Sequence, residues 1–517
     1  AAIAKDVLVD NEDRAAAMAK YVSDEQYAQL SSAAEFSFYI LLFYFCDRTS
    51  YIPRMGKTYN KDTFWTLWVL LCVGGLMTLR KAKPEKPKSP VSPKAPSVAV
   101  TEGTAAVNVN HQSSVSTTDT IPNEVAESSN AGGTYHVKHL QRDQTEEWKG
   151  WMQVMFLWYH YFAAKDIYNA IRLYIAAYVW MTGFGNFSYY YIKRDFSFAR
   201  FCQMQWRLNF MVVLACAVLG NEYMLYYICM LHTTFTVIIY AVLGFQSQMN
   251  TTFQGVCIKF AACAAVGVVM WDIEGVFGII WAPLTWLVQY HDPYKPDRPI
   301  MSEWQFRSHL DHLVWIVGMF MAYNHPRFDS WLQAIDRMPS KISNTVKISI
   351  FAAAGLGFYV YNELVFSLPK KEYNQLHPYT SFIPIVLFII MRNIFTTARM
   401  YHMHLFEFLG KTTLETYIAQ FHIWMATTGA NGAPKKLLRI LPEGYPLLNF
   451  LVISVVFFFV SYRLFQNTNV IRTFVLPAKV PNAVLQRNVI YLATAVAAIY
   501  ALAAFMKGFI TTSSVGM

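Results

Sequence analysis

Residues 144–160 read QTEEWKGWMQVMFLWYH, and this stretch sets how the rest of the chain is read. Glu146 and Glu147 open an amphipathic run that turns apolar after Lys149 and then meets a single imidazole, His160. Eleven positions separate Lys149 from His160. In a helix that is three turns plus roughly 20°, so both side chains project from one face. At a rise of about 1.5 Å per residue, His160 lies about 16 Å deeper than Lys149, close to mid-membrane if Lys149 marks the interface. An ionisable group at that depth needs a polar cavity or a partner, which makes it a functional hypothesis by default. A neutral imidazole can take the proton from an attacking hydroxyl, and Lys149 can meet the phosphates of a donor. The alternative, open at this point, is that His160 hydrogen-bonds a neighbouring helix and Lys149 snorkels to headgroups.

Composition supports lipid as the main solvent. The 517 residues are 55% hydrophobic and only 15% charged, against roughly a quarter charged in soluble domains. Apolar segments are expected to be helical near Ala33 to Cys46, Phe64 to Leu79, Trp151 to Ala164, Tyr168 to Tyr191, Leu208 to Leu219, Tyr223 to Phe245, Val256 to Trp271 and Val276 to Tyr290. Six more follow near Leu313 to Tyr323, Val346 to Leu364, Phe382 to Ile394, Leu414 to Met425, Leu447 to Phe465 and Val489 to Phe505. The fold class is therefore an all-α, polytopic transmembrane helix bundle of roughly 12–14 spans. The seven cysteines include no C-x-x-C and read as small buried hydrophobes. The net charge of +10 sits in short basic clusters between spans, where positive-inside bias and anionic lipid account for it. Nucleic-acid binding is not expected.

Three regions are expected. Residues 1–80 form an N-terminal segment with a transmembrane hairpin, residues 81–143 a disordered linker rich in Lys, Pro and Ser, and residues 144–517 the multi-span membrane domain. Arg80, Lys81, Lys83, Lys86 and Lys88 follow the second span directly, which places linker and amino terminus in the cytosol. The sequon Asn250-Thr251-Thr252 then falls on the cytosolic side and is expected to stay unmodified.

Other polar residues are candidates for a site. In residues 414–424, LETYIAQFHIW, Glu415 and His422 lie seven apart and share a helical face, so Glu415 can orient His422. A satisfied interhelical pair is the plainer alternative. In residues 303–312, EWQFRSHLDH, Arg307 and Asp311 are spaced to pair, and His309 and His312 lack a defined third ligand. No metal is expected, and the segment is read as a cytosolic interfacial helix. Arg172, Arg207 and Arg392 fall in or beside apolar runs and suit a nucleotide-bearing donor near the cytosolic face, with helix-end snorkelling as the alternative. No G-x-S-x-G, P-loop or G-x-G-x-x-G occurs, which disfavours covalent serine catalysis.

Residues 144–197, QTEEWKGWMQVMFLWYHYFAAKDIYNAIRLYIAAYVWMTGFGNFSYYYIKRDFS, resemble the plant reduced-wall-acetylation proteins, which belong with the Cas-type multi-span O-acetyltransferases of capsule and sialic acid. The likeness continues through WRLNF, NEYMLYYIC, YHDPYKPDRP, FRSHLD, HPYTSFIPI and LGKTTLETYIAQFHIW. The Lys149-to-His160 spacing is also similar to the basic-x10-His pattern of acyltransferase-3 proteins, with Lys where those usually carry Arg. The resemblance implies O-acetylation of cell-wall polysaccharide in a multi-pass Golgi membrane protein, acetyl-CoA as the cytosolic donor, and His160 as the reaction centre. His422 and Glu415 then support the catalytic cavity, and Lys149, Arg172, Arg207 and Arg392 hold the donor. The sialic-acid relatives carry a lumenal hydrolase-like domain for which these 517 residues leave no room. A separate lumenal acetyltransferase, resembling the trichome-birefringence-like proteins, is the expected partner. Against this enzyme stands a transporter that delivers acetyl-CoA or acetyl units without chemistry of its own. Both need a polar cavity.

Overall fold

The computed structural model describes residues 24–82, 139–427, 429–477 and 480–515. Its long helices are α1 (Asp24–Arg48), α2 (Lys61–Met77), α3 (Arg142–Phe162), α4 (Tyr168–Lys193), α5 (Phe198–Leu219), α6 (Tyr227–Gly244) and α7 (Phe253–Asp272). After a short α8 (Ser302–His309) come α9 (Val314–Asp336), α10 (Ser340–Tyr361), α11 (Lys370–Thr380) and α12 (Phe382–Asn393). The rest are α13 (His404–Gly410), α14 (Thr413–Ala419), α15 (Pro446–Val475) and α16 (Asn482–Val515). The fold is thus an all-α helix bundle. Among the described residues six helical stretches are long and apolar enough to cross a membrane by themselves: 198–219, 223–244, 253–272, 340–366, 446–475 and 482–502. On the last helix only 6% of the apolar window is buried in the protein. Each of the fourteen expected apolar segments lands on helix, although Pro283 breaks 276–288 into two short α-helical pieces joined by a 3₁₀ turn. Cys257 differs from the expected burial, because it faces outward from α7; small thiols tolerate a lipid-facing position as well as a core.

Close helix crossings build the core. At the α3–α13 crossing, a Cβ on Gly150 would stand 1.9 Å from the Phe406 carbonyl oxygen, and one on Gly410 would stand 1.9 Å from that of Glu146. Only hydrogen fits there, so the two backbones touch. Of the two helices described within residues 24–80, α1 packs on α15 and α5, and α2 lies against α13. Phe64 and Trp68 of α2 meet Trp158 of α3 edge-on.

Two small sheets mark the ends of the bundle. Strand β1 (Arg54–Gly56) pairs antiparallel with β5 (Lys436–Leu438), which also takes β4 (Met425–Ala426). Strand β2 (Leu79–Lys81) pairs with β3 (Tyr401–Met403). The expected linker, 81–143, lies outside the described residues over 83–138. At its far side His139 is buried and stacked on His325 of α9.

Candidate functional site

His160 lies in the last turn of α3, two residues before the helix ends and Ala163 turns left-handed at its cap. The helix begins at Arg142, with Gln144, Glu146, Glu147 and Trp148 already helical and buried against the bundle. Lys149 therefore sits two turns inside, and His160 reaches the end opposite the linker. Lys57, from the turn between β1 and α2, donates from Nζ to the His160 carbonyl at 2.7 Å and approaches Met425 Sδ at 3.2 Å. Burial pushes the Lys57 ammonium down to about 8. The imidazole stands edge-on to Phe156 at 4.5 Å and beside Tyr159 at 5.0 Å between centroids. It keeps intermediate accessibility, while its Nδ1 is buried without a hydrogen-bond partner among the described residues. Gln420, Lys57 and Arg307 lie within electrostatic reach of the ring.

A second group of charges lies toward the linker end. Lys149 pairs with Glu146 at 2.7 Å. Arg207 of α5 grips Glu415 of α14 with both nitrogens, Nη2 to Oε2 at 3.0 Å and Nη1 to Oε1. Glu415 is fully buried and Arg207 is 28% exposed at the side chain. Glu146 also lies within electrostatic reach of Arg207, which joins the two pairs. Gln153 donates to the Thr413 carbonyl and to Thr416 Oγ1, both at 3.1 Å, and Tyr178 donates to the Lys149 carbonyl at 2.6 Å. These bonds stitch α3 between α14 and α4.

Between the two groups lies a buried relay that sequence inspection did not assemble. Arg172 of α4 meets Asp311 at 2.9 Å, and His377 Nε2 stands 3.5 Å from the other oxygen of Asp311. Tyr373 closes the row at 2.9 Å from His377 Nδ1. Arg172 Nε and Nη1, Asp311 Oδ1 and His377 Nε2 are buried without hydrogen-bond partners among the described residues. His232 of α6, bonded to Thr182 at 2.6 Å, lies within electrostatic reach of both Asp311 and Lys149. Tyr159 is similarly within reach of Arg172 and Arg307. Polar and charged groups therefore follow one another from Lys149 to His160.

Two expected pairings are replaced. Glu415 does not orient His422, because α14 widens into a π turn over Gln420–Trp424 that swings the imidazole off the Glu415 face. His422 instead donates from Nδ1 to Asp47 at 2.8 Å and accepts at Nε2 from Tyr226 at 2.6 Å, so both its nitrogens are used. Arg307 does not pair with Asp311, because α8 ends at His309 and Asp311 falls in the following turn. Arg307 bonds Glu303 at 2.7 Å and lies 4.4 Å over the Tyr227 ring. Helix α8 buries Trp304 and Ser308 completely, and Arg307 lies within electrostatic reach of His160.

Arg392, at the linker end, pairs with Glu147 at 2.8 Å and is 20% exposed. It borders a groove of about 140 Å³ with Glu147, Trp148, Trp151 and Asn393. Arg172 is 1% exposed. Each of the four basic residues read as donor-binding thus already faces a carboxylate. Asn250 of the sequon is 6% exposed, donates to the Leu243 carbonyl and accepts from Lys259.

Asp47, His232, His377 and Lys57 escaped the sequence reading, and Asp311 was read only as a partner of Arg307. Asp47 and Lys57 are charged and visible as such, but their partners lie far along the chain, and no local spacing connects them.

Residues 126–490 match the family described as a 10 TM acyl transferase domain found in Cas1p. Over 349 residues the chain is 32% identical to the N-acetylneuraminate (7)9-O-acetyltransferase of Danio rerio, covering 64% of this chain and 42% of that protein. The chain thus spans about two fifths of the length of the curated relative it matches. No solved structure matches it. A helix bundle whose interior is threaded by His160 and paired charges, and which matches over most of its length, belongs to the Cas1p-type family of multi-span membrane acyl transferase domains.

Proposed function

We propose that this protein is a transmembrane O-acetyltransferase that carries acetyl from cytosolic acetyl-CoA to a sugar hydroxyl on the other side of a Golgi membrane. The observation that carries this reading is the row of polar groups from Lys149 through His232, Asp311, Arg172 and Tyr159 to His160. A bundle held only by packing has no use for so many partly satisfied polar groups, which are costly in lipid. The printed activity of the Danio rerio relative favours an O-acetyl transfer, and the sequence likeness to plant reduced-wall-acetylation proteins favours cell-wall polysaccharide as acceptor.

In this reading His160 takes the proton from the acceptor hydroxyl as its oxygen attacks the acetyl thioester carbonyl. The C–S bond breaks, and the imidazolium returns the proton to the leaving thiolate, giving acetyl ester and free CoA. General base catalysis of this kind contributes roughly 100- to 10,000-fold. Arg307, near the ring, is placed to steady charge on the carbonyl oxygen. Lys149, Arg207 and Arg392 keep partial exposure, so they can trade a carboxylate for donor phosphate. Arg172, closed off with Asp311, holds the frame. Glu415 and His422 position their helices rather than touch the reacting atoms.

The second reading is a transporter, favoured by the carboxylate already facing every basic candidate. Purified protein in liposomes, given acetyl-labelled acetyl-CoA and a xylan oligosaccharide, separates the two. The enzyme releases free CoA in step with labelled ester. Counterflow of intact acetyl-CoA with no free CoA would overturn the enzyme in favour of the transporter.

A further inference from the structure

We propose that Asp272, His309 and His312 form a binding site for a divalent transition metal of the zinc class, which ties the end of α7 to the turn between α8 and α9. One nitrogen or oxygen from each of the three lies within 4.8 Å of the others. His312 is fully buried, and its Nδ1 stands 2.6 Å from the His309 carbonyl oxygen. A carbonyl can only accept, so Nδ1 carries the proton, and in a neutral ring Nε2 is left with a bare lone pair. That Nε2 has no hydrogen-bond partner among the described residues and faces Asp272 Oδ2 at 3.4 Å. Two acceptors facing each other at this distance, one of them on a buried ring, repel unless a cation lies between them.

The spacing suits such an ion. Zinc bonds of about 2.0–2.2 Å to nitrogen and oxygen put neighbouring ligands of a tetrahedron roughly 3.3 Å apart. His309 Nε2 lies 3.1 Å from Asp272 Oδ1, and His312 Nε2 3.4 Å from Asp272 Oδ2. Outer contacts fix the ligands in the manner of metal sites. The His309 carbonyl holds the His312 ring, and Tyr379 of α11 donates to Asp272 Oδ1 at 2.8 Å. Asp272 and His309 are 20% and 32% exposed at the side chain, which opens one side for the ion to enter. The other His-rich group, His402, His404 and Glu407, differs, because Lys411 Nζ at 2.6 Å already supplies Glu407 with a cation.

The test uses the purified full chain, stripped with chelator and titrated with cobalt(II) alone. One equivalent is expected to bind with the visible absorption of tetrahedral cobalt, and zinc is expected to displace it. His309→Ala, at a partly exposed position, is expected to weaken binding at least tenfold, Asp272→Asn to do the same, and His402→Ala to leave it unchanged. Zinc is also expected to raise the melting temperature of the wild type but not of His309→Ala. The proposal is overturned if no stoichiometric cobalt is taken up, which leaves an imidazolium–carboxylate pair in place of a metal, or if His309→Ala and Asp272→Asn bind cobalt as the wild type does.

Discussion

Replacing Glu415 with Leu would strand the Arg207 guanidinium inside the bundle, 5.2 Å from the Phe465 ring and without its two-point partner. Breaking a buried ion pair by removing one member costs about 3–5 kcal/mol, chiefly because the remaining charge stays desolvated. Glu415 is 0% exposed and Arg207 28% exposed at the side chain, so the guanidinium keeps some access to polar surroundings. The expected loss is therefore at the low end, about 3 kcal/mol. Arg207→Met with Glu415→Leu removes both desolvation penalties and is expected to return to within about 1 kcal/mol of the wild type. Reversible unfolding in mixed detergent micelles measures the four corners of this cycle. The reasoning is refuted if Glu415→Leu alone costs less than about 1 kcal/mol, or if the double variant is no more stable than the single. Either result would mean that the pair sits in water and owes little to its partner.

Two further outcomes are expected. Gly150→Ala places a methyl 1.9 Å from the Phe406 carbonyl oxygen and should lower stability by about 1–3 kcal/mol, whereas Gly355→Ala, in open space on α10, should leave the melting temperature unchanged or raised. Lys57 titrates near 8 in the folded protein rather than at its ordinary 10.5. Between those pH values the unfolded chain holds a proton that the folded chain has lost, so stability rises with pH; melting curves should show this rise in the wild type and a smaller one in Lys57→Met.

The helices were legible because lipid imposes long apolar runs that carry their own signal. All fourteen expected segments fall on helix, although 276–290, read as one run, is broken at Pro283. The site was legible only in its anchor points. Lys149 and His160 stand on one helix, and regular geometry relates them once the helix start is known. The burial of Gln144, Glu146 and Glu147 was not legible, because they look solvated in the sequence yet are buried by α13 and its neighbours. The Glu415–His422 pairing failed for a different reason. Periodicity assumes an unbroken α-helix, and the π turn at Gln420 adds a residue to one turn. Asp47, the actual partner of His422, lies 375 positions away, beyond any spacing rule. Arg172 and Asp311 likewise meet only through the packing of separate helices.

The central claim is that the His160 imidazole handles the proton in acetyl transfer. The direct measurement is turnover of acetyl-CoA to free CoA by purified His160→Gln, in the presence of acceptor, alongside its size-exclusion profile and melting temperature. With the fold intact, kcat should fall roughly 100- to 10,000-fold while the KM for acetyl-CoA stays close to that of the wild type. A correctly folded His160→Gln protein that turns over within about threefold of the wild type would contradict the account.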